Sequence, residues 1–569
     1  MVFRFLKPYK RQLILGPMAK LMEAVFELFT PLLMAGLIDK GVALQDSGHV
    51  LRMSALIGVV SLVGFLCAAF CQYSASVASQ GFGTELRNGL MKKIGLLNVK
   101  DMAEIGSVSV VNRLTGDVNQ LQLAVAMFIR LVVRAPFLCV GGLIMAMVMD
   151  VKLSVILWVF IPLFILLLIY ITVKTIPMYQ GVRGRLDALS GILKENITGV
   201  RVVRAFAMSK REEERFSKEN DGWLFDSVKA GRLSALLSPA TLLIMNAASL
   251  LIIYFGGFHV EGGQLTQGQL IAFLSYVTQI MLAMIVVSNL AVLFHKAFAS
   301  LKRVEALMAM EPSMAYGAGA QAKGSAVVFE NVSFRYGEGA EPAVENVSFT
   351  VAEGAIVGII GGTGAGKSSL LNLIPRLYDP FEGSIFIGGA EVKEYTREQL
   401  LEKVALVPQK AALFSGTVLS NIRQGKPDAT QEAIDKAAEI AQAKEFIDRL
   451  PEKYNSPVSP GGANFSGGQK QRLALARGLV GEKEVLILDD SASALDYATD
   501  LSLRMAIREH IKATVFIASQ RISSVMQADT ILVMDDGRLV GHGSHGELLH
   551  NCPVYMDICK SQGMGGEGA

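Results

Sequence analysis

Gly361-Gly362-Thr363-Gly364-Ala365-Gly366-Lys367-Ser368 is the stretch on which the reading of this chain turns. The apolar run Ile356–Ile360 precedes it and the helix-forming run Ser369–Leu373 follows. A glycine-rich turn between a buried strand and a helix is a cradle for phosphate. Its glycines let backbone N–H groups wrap phosphate oxygens, and the helix start adds positive potential. Lys367 is placed to reach the β- and γ-phosphates, and the Ser368 hydroxyl to ligate Mg²⁺. From Ala326 onward the sequence reads as the α/β domain such a loop needs. Apolar strand-like runs at Ala355–Ile360, Val404–Val407, Val485–Leu488 and Thr514–Ala518 alternate with helical stretches.

About a hundred residues downstream stands Asn464-Phe465-Ser466-Gly467-Gly468-Gln469. With the phosphate loop, it makes the chain resemble the ATP-binding-cassette (ABC) superfamily, where this second motif is the signature. The resemblance implies ATP and Mg²⁺ as cofactors. Val485-Leu-Ile-Leu-Asp489, ending 23 residues after Ser466, resembles the Walker B strand, whose Asp489 would hold Mg²⁺ through water. Ser493-Ala494-Leu495-Asp496 matches the D-loop. Gln409, after Val407-Pro408, matches the Q-loop residue that contacts Mg²⁺ or water and the coupling helices. Tyr336 matches the aromatic that stacks on adenine. The implied nucleotide contacts are Tyr336, the loop from Gly361 to Ser368 with Ser369, and Ser466, Gly467, Gly468, Gln469 and Asp496. In this family the signature acts in trans: Ser466 and Gly468 would contact the γ-phosphate held by another chain's loop. One cassette per chain therefore implies a second subunit.

Two residues depart from the family pattern. Asp490 stands where a catalytic Glu is usual, and Gln520, in Ala518-Ser519-Gln520-Arg521, where a switch His is usual. Asp is one methylene shorter, and a general base must lie within hydrogen-bond reach of the attacking water. Gln520 can hydrogen-bond a γ-phosphate but cannot become a cation. Pro460 also replaces a common Glu before the signature. The expected catalytic set of Asp490, Gln520 and Gln409 is therefore slow. The resemblance points to the degenerate-site subunit of heterodimeric bacterial multidrug exporters. A homodimer with two slow sites, or an ATP-binding gating subunit, is the alternative.

The first three hundred residues are of another kind. The chain of 569 residues is 51% hydrophobic and 18% charged, with a mean hydropathy of +0.41, so part of it is a membrane domain. Six apolar stretches centre near Phe26, Gly64, Val140, Phe164, Ala247 and Leu282. Basic residues gather between the second and third (Arg87, Lys92, Lys93, Lys100, Arg113) and between the fourth and fifth (from Lys174 to Arg211). The positive-inside rule puts these segments, and both termini, in the cytoplasm of a plasma-membrane protein. They are long enough to reach on the order of 30 Å below the bilayer as helical hairpins. This resembles an ABC exporter, with coupling helices expected near 101–110 and 195–205. The basic, aromatic N-terminus reads as an interfacial helix and not a cleaved signal.

The expected fold is thus a six-helix transmembrane domain (1–310), a small, flexible linker (311–325) and an α/β ABC ATPase domain (326–569). A net charge of +3 gives no reason to expect a nucleic-acid partner. Membrane lipids, an amphiphilic substrate and a second half-transporter are the expected partners. The five cysteines have no zinc-site spacing. Glu23 and Glu27 lie one helical turn apart in the first span, where unpaired charge is costly. They are either a patch for a cationic substrate or structural partners of Lys20, Arg130 or Arg134.

Overall fold

The computed structural model describes residues 1–563. They divide into two units, one of residues 1–95 and 108–310, the other of residues 96–107 and 311 onward.

Among the described residues, six helices are long and apolar enough to cross a membrane: Val2–Val42, Ser47–Leu96, Ser107–Met149, Val151–Thr198, Ser209–Glu261 and Gln267–Ala309. Each contains one of the six apolar stretches. A lipid environment leaves helical backbone as the means of satisfying its own polar groups. Side chains such as Phe65, Trp158 and Leu243 are exposed, as a lipid-facing surface requires. The packed faces use small residues; Ala24, Ala35, Ala272 and Ala283 form one core with Leu28, Leu138 and Tyr276. Polar ties fix the helices to one another. Tyr276 donates its hydroxyl to the Leu28 carbonyl at 2.7 Å. Asp39 accepts from the Gly268 N–H at 2.8 Å, and Asp117 from Ser300 and from Arg303 Nε, both at 2.9 Å.

Short helices Val99–Ile105 and Val200–Ala205 overlap the two stretches, 101–110 and 195–205, expected to hold coupling helices. The first opens with reciprocal capping by Asn98 and Asp101. Residues 96–107 cluster with the second unit, although the sequence reading gave them to the membrane domain. Asp101, 2% exposed, accepts the Ser313 N–H with both oxygens at 3.3 Å.

The linker expectation needs correction. Residues 315–320 are pinned to the ATPase domain. Arg376, 3% exposed, donates to the Ala315 carbonyl at 2.9 Å and lies over the Tyr316 ring. Gly317 and Gly319 donate their N–H groups to the carbonyls of Tyr395 and Glu394. Gln399 exchanges two hydrogen bonds with the Ala320 backbone. Small residues gave the segment its flexible look; in fact they let its backbone lie close to the domain.

The second unit holds a six-stranded sheet in the order Arg538–Gly543, Thr530–Asp535, Ile356–Ile360, Thr514–Ser519, Val485–Asp489, Val404–Val407. Its pairings are parallel except between the first two strands. A four-stranded sheet contains Val327–Phe334, Val344–Val351 and Glu382–Ile387. Strand register decides what meets at the carboxyl edge. Ile360 pairs with Ser519, Asp489 with Ala518, and Val407 with Leu488. The residues just beyond those pairs, Gly361, Gln520, Asp490 and Gln409, therefore emerge together at the edge where open α/β sheets bind ligands.

Candidate nucleotide site

The phosphate loop leaves the Ile356–Ile360 strand and enters the helix Lys367–Leu373. Gly361 runs beside the neighbouring strand so closely that a Cβ would lie 2.1 Å from the Met534 carbonyl oxygen. Gly366 has φ +92° and would place a Cβ 2.4 Å from the Ala343 carbonyl, so only glycine suits it. Gly362 and Gly364 would meet nothing within 4 Å.

Lys367 folds back over the loop, its ammonium donating to the carbonyls of Gly361 at 2.8 Å and Gly362 at 2.7 Å. Burial holds its pKa below the usual lysine value, against the opposing pull of Asp490 and Asp489. The Ser368 hydroxyl donates to Asp489 at 2.8 Å. Asp489, 8% exposed, has its pKa pushed up chiefly by burial, with the neighbouring Asp490 adding to the rise. A buried carboxylate beside a hydroxyl, flanked by a second carboxylate and by the Gln409 amide, is a hard-oxygen donor set that fits Mg²⁺. Ser368, Asp489 and Gln409 would hold it, and the ion would neutralise charge on the β- and γ-phosphates.

Asp490 lies just past its strand in the left-handed region, φ 44°, a conformation aspartate tolerates better than most side chains. Its N–H donates to the Ala518 carbonyl, and its own carbonyl accepts the Ser493 hydroxyl. Gln409 Nε2 donates to its carboxylate at 2.9 Å, so two catalytic candidates 81 residues apart are in contact. Gln520 is exposed and follows the Thr514–Ser519 strand. Tyr336 keeps an exposed ring, edge-on to Phe334 and Tyr378, and its hydroxyl is 3.0 Å from that of Ser369.

The signature residues belong to a different core. Phe465 packs with Leu413, Leu473 and Val458, whereas the phosphate-loop helix packs with Phe329, Val357 and Phe516. Ser466 caps the helix Gly467–Leu479, exchanging bonds with Gln469. Ser466 is exposed, and a Cβ at Gly468 would be 3.2 Å from the Ala494 carbonyl. Asp496 caps Tyr497–His510 through the Thr499 N–H, which holds its pKa down.

In the membrane unit each candidate substrate carboxylate has a cation. Glu23 pairs with Lys20 at 2.6 Å and Glu27 with Arg134 at 2.7 Å. The pairs are part-buried, the arrangement of helix packing. The same unit holds an apolar cavity of about 650 Å³ lined by Leu143, Phe164, Leu168, Met284 and Val287, among others. Sequence reasoning did not find this cavity, Arg376 or the crowding carbonyls of Met534 and Ala343, because none has a local pattern.

Residues 13–284 match the family described as "ABC transporter transmembrane region" and residues 344–493 the one described as "ABC transporter". The ABC transporter ATP-binding protein YfiB of Bacillus subtilis is 36% identical, covering 99% of this chain and 98% of that protein. The putative multidrug export ATP-binding/permease protein YgaD of the same organism is 30% identical, over 99% and 98%. A solved bacterial Atm1-family ABC exporter with ATP bound has a TM-score of 0.81 at 24% identity, over 98% of this chain and 99% of that one.

Proposed function

The chain belongs to the ABC exporter half-transporters, and on that premise we propose that it is the degenerate-site half of a heterodimeric exporter. It would move an amphiphilic small molecule, drug, lipid or peptide out of the cytoplasm. Its own loop would bind ATP with Mg²⁺ and hydrolyse it slowly, while its signature serves the partner's site. The ATPase domain and both termini would lie in the cytoplasm, on the side carrying the basic hairpins.

The observation that carries this reading is the pairing of Asp490 with Gln409 beside an uncharged Gln520. The short carboxylate already accepts a hydrogen bond from Gln409, which an attacking water would have to share or displace. A base withdrawn by about 1 Å costs on the order of a hundredfold in rate. The intact cap at Ser466 and the open surface around it support use of the signature in trans. The apolar cavity among the long apolar helices suits an amphiphile, and the similarity to YgaD, a putative multidrug export protein, agrees with such a substrate. The test is ATP turnover by the purified chain alone and after assembly with candidate half-transporters carrying Glu and His at the matching positions. Turnover that appears only in the mixed assembly is the expected result. Robust turnover by the chain alone would instead favour a homodimer.

A further inference from the structure

The C-terminal helix Pro553–Ser561 docks into the ATPase domain. Tyr555 and Cys559 are almost fully buried and share a core with Ile360, Ile522 and Val525. Ile360 is the residue before the phosphate loop, and Ile522 begins the short helix after Gln520. The residue that follows this docked helix is Gln562. Its side-chain oxygen accepts the Ile522 N–H at 2.9 Å, and its Nε2 donates to the Gln520 carbonyl at 2.7 Å. A carboxamide has one donor end and one acceptor end, and this orientation satisfies both. The helix Ile522–Val525 has no side-chain cap of its own at Arg521, so Gln562 supplies the missing partner for its first N–H. The Arg521 N–H is taken up by Ser519 Oγ at 3.0 Å.

We propose that Gln562 is a positioning residue for Gln520: its amide grips the Gln520 carbonyl and the Ile522 N–H, on either side of Arg521, and sets where the Gln520 side chain meets nucleotide. The inference rests on the reading of Gln520 as the γ-phosphate contact. An exposed loop residue reached by a single strand end would otherwise sample several backbone conformations, and a misplacement of about 1 Å is costly at a phosphate. The grip also ties the switch to the C-terminal helix, so displacing that helix loosens Gln520.

The test uses the full chain assembled with its partner in nanodiscs, comparing wild type with Gln562→Ala, Gln520→Ala and the double variant. Backbone amide exchange is read over residues 518–526, with residues 553–561 as the control for docking of the helix. Intact ATP retained after turnover reports the slow site. Gln562→Ala should speed exchange at 518–526 several-fold, leave 553–561 protected, and shorten ATP retention by roughly three- to tenfold. It should add little in the Gln520→Ala background. Unchanged exchange at 518–526 overturns the grip. Faster exchange with wild-type retention, while Gln520→Ala shortens it, overturns the positioning role. If neither substitution changes retention, the γ-phosphate role of Gln520 fails, and the positioning role falls with it. Loss of protection at 553–561 would mean that Gln562 serves helix docking, which also overturns the proposal.

Discussion

Gly361→Ala and Gly362→Ala add the same methyl group at adjacent positions, and the structure gives them opposite outcomes. At Gly361 the new Cβ would lie 2.1 Å from the Met534 carbonyl oxygen. Carbon–oxygen contacts rarely fall below about 3.3 Å, so roughly 1 Å must be opened between the two backbones. Met534 cannot give way easily. It is fully buried, in a strand paired on one side with Ile356–Ile360 and on the other with Arg538–Gly543. The phosphate loop must therefore retreat, taking its N–H groups and Lys367 with it. Each N–H bond to phosphate lost in that retreat is worth about 1.5–3 kcal/mol, so ATP affinity should fall on the order of ten- to a hundredfold. At Gly362 the added carbon meets nothing within 4 Å, and the expected change is about twofold or less. The assay is titration of the full chain in nanodiscs with a fluorescent ATP analogue, with monodispersity as the folding control. Equal effects at the two positions, or wild-type affinity in well-folded Gly361→Ala, would refute the steric argument.

Other expectations follow from the site. Ser466→Ala should remove most turnover of the assembled transporter, whereas Asp490→Asn should change it modestly; steady-state hydrolysis decides, and the reverse order would exchange the roles of the two sites. Asp490→Glu with Gln520→His should speed single-turnover hydrolysis at this chain's own loop, measured with the partner's base disabled. Burial raises the Asp489 pKa above 3.8, so its charged form opposes folding of the metal-free domain. That domain should be more stable below the Asp489 pKa and lose this contribution as pH rises through it. Mg²⁺ needs the ionised form, so its apparent affinity should fall as pH drops, with a midpoint above 3.8, read by Mg²⁺ titration of nucleotide binding against Asp489→Asn. Glu27→Gln leaves Arg134 without its carboxylate and should lower thermal stability by about 1–3 kcal/mol. Selective loss of cation transport with unchanged stability would instead assign Glu27 to substrate.

The parts of the site that could be read directly share one property. Cradling a phosphate requires small residues, a Lys and a Ser at fixed spacing within a single turn, so Gly361–Ser368 carries its chemistry in its own order. The same holds for the apolar lengths of the six helices and for the signature run from Ser466 to Gln469. The linker misled because Gly and Ala have two uses, free rotation and close approach, and the identity of the residue does not say which one applies. Glu27 stayed open for a similar reason: its cation, Arg134, lies 107 residues away, on another helix.

The sequence by itself determined the two kinds of domain, the nucleotide chemistry, the signature and the departures at Asp490 and Gln520, since all of these are written in short runs under local constraint. Tertiary structure alone decided which residues share an edge. Parallel strand order and register bring Gly361, Gln409, Asp490 and Gln520 together, and a docked helix brings Gln562 to the Gln520 backbone. Side-chain hydrogen bonds act over about 3 Å, whereas these residues are separated by tens of positions in the chain. Only the packing of apolar strands and helices between them, a collective property of the whole domain, converts that separation into contact.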